Sequence, residues 1–344
     1  MSTLSPPRSR VETGLRVAVQ APGRLHLGFL DPAATLGRRF GSLGVVIDGF
    51  ETELEIAAAP GADDGYASDG AAGAAEFDRL AGWLHQLRLR TGRPQPLALR
   101  LRRALPAHAG LGSGTQLALA LGRAFVRWHG LEADTPTIAA WLGRGLRSGI
   151  GIAGFDAGGL LVDGGPGAGA AGARPAPVLA RIEPPADWRV IVALDPRRRG
   201  LAGAEERAAI ATLPPLPRSA AADLCHQVLM RVLPGAAGDD FAAFAAGLNR
   251  IQELLGAHFA PAQGGSAWTS PAVGRLMNWL GAGAGSGVGI GQSSWGPTGF
   301  AFVPSATVAR HLLDAAAQAG ALDPALEVRI VTLRNRGATI GAAG

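Results

Sequence analysis

The stretch over residues 106–128, PAHAGLGSGTQLALALGRAFVRW, constrains the fold more than any other part of the chain. Gly110, Gly112 and Gly114 make a turn that runs directly into a helix, whose Leu117, Leu121, Ala124 and Trp128 recur at helical spacing. Ser113 stands where an N-cap is expected, and Gln116 three residues on completes a capping-box pattern. A glycine-lined turn at a helix N-terminus leaves bare N–H groups beside the positive end of the helix dipole, which suits phosphate or pyrophosphate. A tight strand-to-helix connection without any ligand would use the same glycines. Neither common phosphate fingerprint applies: Thr115 stands where GxGxxG has its third glycine, and no lysine follows as in Walker A.

No lysine occurs anywhere, so all 32 basic residues are arginines. That excludes Schiff-base chemistry, a pyridoxal phosphate anchor and a Walker lysine. Arginine grips phosphate or carboxylate through a planar fork, so phosphorylated or acidic substrates fit. The basic clusters at Arg100/Arg102/Arg103 and 197–199 have no interleaved aromatics, and no nucleic-acid partner is expected. A lone Cys225 gives neither a disulfide nor a metal cluster and suits a reducing cytoplasm. No apolar run is long enough to cross a membrane. A homodimer is compatible with the sequence.

The 344 residues suit two domains. Residues 1–14 read as a loose Ser/Pro/Arg-rich tail, 15–177 as a first domain and 178–344 as a second, with the Gly/Ala/Pro-rich stretch 164–177 as linker. Residues 15–20 alternate as a strand, break at Pro22-Gly23, and resume at Leu25, Leu27 and Phe29 with Arg24, His26 and Gly28 on the other face. His26 is either a substrate contact or a polar residue on a half-exposed face. Strands are expected over 44–48, 52–57, 96–103, 188–194 and 326–333. Helices are expected near 76–90, 135–145, 219–233, 238–257, 270–281 and 305–319. Two further segments are glycine-rich: 147–159, with Arg147 and Asp156, and 283–299, where alternating glycines precede Gln292, Ser293, Ser294 and Trp295. Bare backbone there invites a ligand or, equally, tight sheet–helix packing.

With the strand over 21–31, these three glycine-rich segments resemble the GHMP kinase superfamily. PAHAGLGSGTQLALA is similar to its phosphate motif and APGRLHLGFLD to its N-terminal motif. The resemblance implies an α+β fold of two domains, the first like domain 2 of ribosomal protein S5, the second ferredoxin-like. The finer resemblance is to the β-ribofuranosylaminobenzene 5′-phosphate synthases, carried by GRLHLGFLD, RSGIGIAGFDAGGLLVDGG, GLAGAEE, IQELLGAHFAPAQGG and GVGIGQSSWGPTGFAF. It implies condensation of phosphoribosyl pyrophosphate with 4-aminobenzoate or 4-hydroxybenzoate, releasing carbon dioxide and pyrophosphate. An ATP-dependent small-molecule kinase of the superfamily and a non-catalytic phosphosugar-binding protein are the alternatives.

On that resemblance the pyrophosphate would lie on Gly110, Gly112, Ser113, Gly114 and Thr115, with Mg²⁺ shared by the Ser113 and Thr115 hydroxyls. Asp156, at about the place of the kinases' catalytic aspartate, is the candidate carboxylate. The alternative is an acid capping the turn before Gly158. Arg24 and Arg147 are candidates for the 5′-phosphate or the benzoate carboxylate. Trp295 would be a stacking wall for the ring, with Gln292, Ser293 and Ser294 donating to its carboxylate. The competing reading makes Trp295 a core plug.

Overall fold

The computed structural model describes residues 15–166, 175–201, 203–283 and 287–342. The expected tail and the middle of the expected linker, 167–174, lie outside the described residues, as does Gly285 of the alternating glycines.

Strand β1 (Val17–Asp31) pairs antiparallel with β2 (Phe40–Ala58). The break expected at Pro22-Gly23 is a register shift within one continuous strand, and the two strands expected over 44–57 are one. Strand β3 (Gly65–Ser68) precedes helices α1 (Ala71–Ala74) and α2 (Phe77–Thr91), and β4 (Leu97–Arg103) then leads to α3 (Ser113–Trp128). Helices α4 (Thr135–Trp141) and α5 (Ile150–Ala157) follow, then β5 (Leu160–Asp163) and β6 (Val178–Ile182). The first sheet has β1, β2, β4 and β3 side by side, with β5 joined to β2 and β6 to β5. It therefore takes in residues on both sides of position 177.

Strand β7 (Arg189–Leu194) opens a second sheet. Helices α6 (Gly203–Thr212), α7 (Arg218–Gln227), α8 (Leu233–Ala237), α9 (Phe241–Phe259) and α10 (Pro271–Gly283) follow, α7 and α8 being joined by a π-helical turn, Val228–Val232. Strands β8 (Gly289–Gln292) and β9 (Thr298–Val303), helix α11 (Ala306–Gln318) and β10 (Glu327–Thr332) complete it in the order β10-β7-β9-β8. Numbered from β7, that order is 4-1-3-2 with helical connections after the first and third strands, the ferredoxin-like arrangement.

A last strand, β11 (Thr339–Ala342), returns to the first sheet and pairs antiparallel with β1. On the way, the Arg334 N–H donates to the Val46 carbonyl at 2.9 Å and the Ala338 N–H to the Phe155 carbonyl at 2.7 Å.

Helices α2 and α3 bury Leu80, Leu84, Leu117, Leu121 and Phe125 on one face of the first sheet. Its other face shares a core with the second sheet and α9: Leu25, Leu27, Leu43 and Val45 meet Val190, Val192, Phe244, Leu248 and Phe300. Each such fully buried side chain stabilises by roughly 1.5–3 kcal/mol. That shared core holds β1 against α9 and the β8–β9 connection. Helices α10 and α11 cover the far face of the second sheet.

Candidate active site

Gly112 is the N-cap of α3, in the left-handed region at φ +80°, and Ser113 is the first helical residue. The sharp turn requires a positive φ there, which glycine adopts without penalty. The expected capping box is therefore absent, and the buried Gln116 instead donates from Nε2 to the Gly151 carbonyl at 2.9 Å. Among the described residues the N–H groups of Ser113 and Gly114 have no backbone partner. This is the usual state of a first turn.

Arginine fills the space the glycines leave. A Cβ on Gly112 would lie 3.2 Å from Arg24 Nε, and one on Gly114 would lie 2.5 Å from Arg79 Nη2. Arg24 donates to the Gly110 carbonyl at 2.9 Å, while its Nε is buried without a partner. Burial lowers the Arg24 pKa to about 10, against the opposing pull of Glu206. Arg147 pairs with Glu206 at 2.5 Å, and its Nη1 is also buried and unpartnered.

His26 on β1 is 4% exposed, and its Nε2 has no partner. Burial first, then the Arg24 and Arg147 charges, hold its pKa well below 6.5, so the imidazole is neutral. The sequence left His26 open between a ligand contact and a half-exposed face; the face is buried.

The 292–296 segment docks onto the same turn. Ser293 Oγ donates to the Gly110 carbonyl at 2.7 Å and accepts the His26 N–H at 2.9 Å. The Ser294 N–H donates to the His26 carbonyl at 3.1 Å. A Cβ on Gly110, which sits at φ +87°, would lie 2.3 Å from the Ser293 carbonyl oxygen. Gln292 is engaged throughout: its Oε1 accepts the Thr269 N–H at 2.6 Å, and its Nε2 donates to Gln263 Oε1 at 2.9 Å and the Ser294 carbonyl at 3.1 Å. Gln292 and Ser293 thus stitch the site together and have no donor left for a ligand carboxylate. The Ser294 hydroxyl makes no hydrogen bond among the described residues.

Beside His26 opens a cavity of about 830 Å³, walled by Phe29, Phe259, Trp268, Ile290 and Trp295 and carrying Ser294 on its lining. Trp295 is 4% exposed and packs edge-on against Phe259 at 4.7 Å between ring centroids, so it is both wall and core. The alternating glycines act mainly through packing. Gly283 ends α10, and Cβ atoms on Gly289 and Gly291 would meet Leu248 and Gln252 of α9.

The structure does not bring Asp156 to the turn. It lines a second cavity, with Asp134, Trp141 and Arg181, and accepts a hydrogen bond from the Thr135 hydroxyl at 2.5 Å. Burial raises its pKa against that bond. The α5 residue that does meet the turn is Gly151, whose Cβ would lie 3.0 Å from Thr115 Cγ2. Helix α5 thus offers only backbone there.

Sequence reasoning also missed Arg79 and Arg144, whose places depend on tertiary contacts, and did not single out Glu206 within GLAGAEE or Phe259 within IQELLGAHFAPAQGG. Among the described residues no three His, Cys, Asp or Glu side chains cluster as a metal cage. The Ser113 and Thr115 hydroxyls, in the first turn of α3, are the side chains there that would hold a magnesium ion arriving on a diphosphate, since Mg²⁺ keeps most of its ligands as water and phosphate oxygens.

The profile of the GHMP kinases N terminal domain matches residues 78–159, and that of the GHMP kinases C terminal domain residues 232–322. The chain is 32% identical to a beta-ribofuranosylphenol 5′-phosphate synthase of Archaeoglobus fulgidus, over 94% of this chain and 98% of that one. It is 31% identical to a protein of the same name from Methanothermobacter thermautotrophicus, over 82% and 87%. Among solved structures, the phosphomevalonate kinase of Streptococcus pneumoniae is similar with a TM-score of 0.65 at 14% identity, over 93% of this chain and all of that one. No described helix is long and apolar enough to cross a membrane.

Proposed function

Since the chain belongs to the beta-ribofuranosylphenol 5′-phosphate synthase family and has the GHMP kinase fold, we propose that it forms a carbon–carbon bond between a ribosyl 5-phosphate and a para-substituted aromatic ring. The donor is phosphoribosyl pyrophosphate and the acceptor a 4-substituted benzoate. The phenol in the relatives' name favours 4-hydroxybenzoate over 4-aminobenzoate as that acceptor. One observation carries the reading: a cationic turn with unpartnered donors and a largely apolar, aromatic-walled cavity meet at His26.

The C1–O bond to pyrophosphate breaks and leaves a cationic ribosyl centre. The ring carbon bearing the carboxylate attacks C1, and carbon dioxide departs, its bonding electrons restoring the aromatic ring. The N–H groups of Ser113 and Gly114, with the Ser113 and Thr115 hydroxyls, take up the charge growing on the leaving group. The same two hydroxyls would hold a magnesium ion, which would share that charge. Arg24 and Arg147 hold the remaining anionic groups. Neutral His26 can face the cationic centre without adding a positive charge to it. Trp295 and Phe259 wall the ring, and the Ser294 hydroxyl donates to its carboxylate before that group leaves. No step needs Asp156, and a carboxylate on α5 would have to replace Gly151 to reach the turn.

Incubation with phosphoribosyl pyrophosphate and 4-hydroxybenzoate labelled in the carboxyl group tests this. Labelled carbon dioxide released without ATP is the expected result. ATP consumption with an alcohol acceptor and no carbon dioxide would replace it with a kinase. A parallel run with 4-aminobenzoate ranks the acceptors by kcat/KM.

A further inference from the structure

Two arginines beside the Gly-rich turn have no part in the scheme above. Arg79 of α2 and Arg144, which follows α4, both stack on the Trp83 ring, at 5.0 and 4.9 Å from its centroid. They converge on Gly114: a Cβ there would lie 2.5 Å from Arg79 Nη2 and 3.8 Å from Arg144 Nη1. Arg79 has a counter-ion in Glu76 at 2.5 Å. Arg144 forms no ion pair among the described residues, and its Nε is buried without a partner. Burial and the neighbouring Arg79 charge both lower the Arg144 pKa.

Two guanidinium groups on one indole repel each other, and both reach Gly114, whose N–H has no backbone partner among the described residues. Without a ligand this arrangement is unfavourable: like charges crowd together, and a buried donor lacks its acceptor. An anion with several oxygens removes both costs at once, because each guanidinium fork can donate two parallel hydrogen bonds to phosphate.

We propose that Arg144 and Arg79, braced by Trp83, form a second phosphate seat at the start of α3, taking the pyrophosphate phosphorus farther from the ribose. This rests on the donor assigned above. Two seats explain why the turn is ringed by more arginine than one phosphate group can use.

Calorimetric titration with inorganic pyrophosphate and with orthophosphate tests it. Arg144→Gln is expected to weaken pyrophosphate at least tenfold and orthophosphate less than threefold, because the first seat remains. Arg144→Lys should recover part of the pyrophosphate loss, keeping the charge without the fork. Arg79→Gln, at a side chain 36% exposed, gives the same readout should Arg144→Gln fail to fold. Unchanged pyrophosphate affinity in a folded variant, or equal losses for both anions, overturns the second seat. A wild-type chain that binds neither pyrophosphate nor phosphoribosyl pyrophosphate overturns the donor assignment, and the seat with it.

Discussion

The cationic end and the aromatic end of the site are built on opposite principles. Around the Gly-rich turn, polar atoms are left over: Arg24 Nε, Arg144 Nε, Arg147 Nη1 and His26 Nε2 are all buried without partners. Around the cavity, amides are taken up by the protein. Gln252 donates to the Leu27 carbonyl at 2.6 Å and accepts the Gln292 N–H at 3.1 Å, and Gln263 accepts from Thr269 and Gln292. A buried donor without an acceptor costs about 1–3 kcal/mol. The cationic end is therefore held in an unfavourable state that an anion relieves, whereas the amides of the aromatic end are already satisfied, leaving shape and the Ser294 hydroxyl to select. The first should confer affinity and the second fit.

Breaking the joint between the ends should have the largest effect. Gly110→Val drives a Cβ into the Ser293 carbonyl and forces a β-branched residue to positive φ. A loss of about 3 kcal/mol or more is expected, seen as a lower melting temperature with both substrates affected. A variant that melts normally and loses only the phosphoribosyl donor would mean that the ends do not share this support.

Arg24→Gln sharpens the contrast. It removes one charged donor from the unsatisfied end, so kcat/KM for the phosphoribosyl donor should fall roughly 10–100-fold. Affinity for the aromatic acid, read by fluorescence titration, should stay within about twofold. Equal losses for both would argue against separate ends.

Trp295→Phe probes the other side. Trimming the wall should raise the aromatic acid's KM several-fold, about 0.5–1.5 kcal/mol, and leave the donor's KM unchanged. Trp295→Ala is a poorer probe, because a side chain this buried costs about 3–5 kcal/mol of stability when removed.

The smallest effect is in pH. His26 stays neutral when folded but takes a proton near pH 6.5 when unfolded, so the unfolded state binds more protons below that value. Stability should therefore be lost as pH falls from about 6.5, and the melting temperature should be lower at pH 5 than at pH 7. His129, lowered to about 4 by burial, adds to the same slope. His26→Asn should flatten part of it; an unchanged slope would mean that His26 is not held neutral in the folded state.

The Gly-rich turn, the helix after it and most elements of both halves were legible because apolar periodicity and glycine position are local signals. Asp156 was not, since helix direction decides which of Gly151 and Asp156 meets the turn, and spacing alone does not say which. The capping box failed for a related reason: backbone conformation at Gly112, invisible in residue type, displaced Ser113 by one position. Nothing local in the sequence marks Arg79 and Arg144, which only the fold brings together at Trp83 and Gly114. The alternating glycines before Gln292 carried a real signal of close approach, but the approaching partner is mostly α9.

The return of β11 to β1 sets an order on how the molecule can come into being. Val17 pairs with Ala342, so the first sheet stays open along β1 until every other described strand has been made. An open edge of that kind is a template for pairing with other chains, and closure over so long a loop is slow. A nascent chain halfway through synthesis should therefore depend on chaperones. A fragment cut after β6 should aggregate, however well its own core is packed.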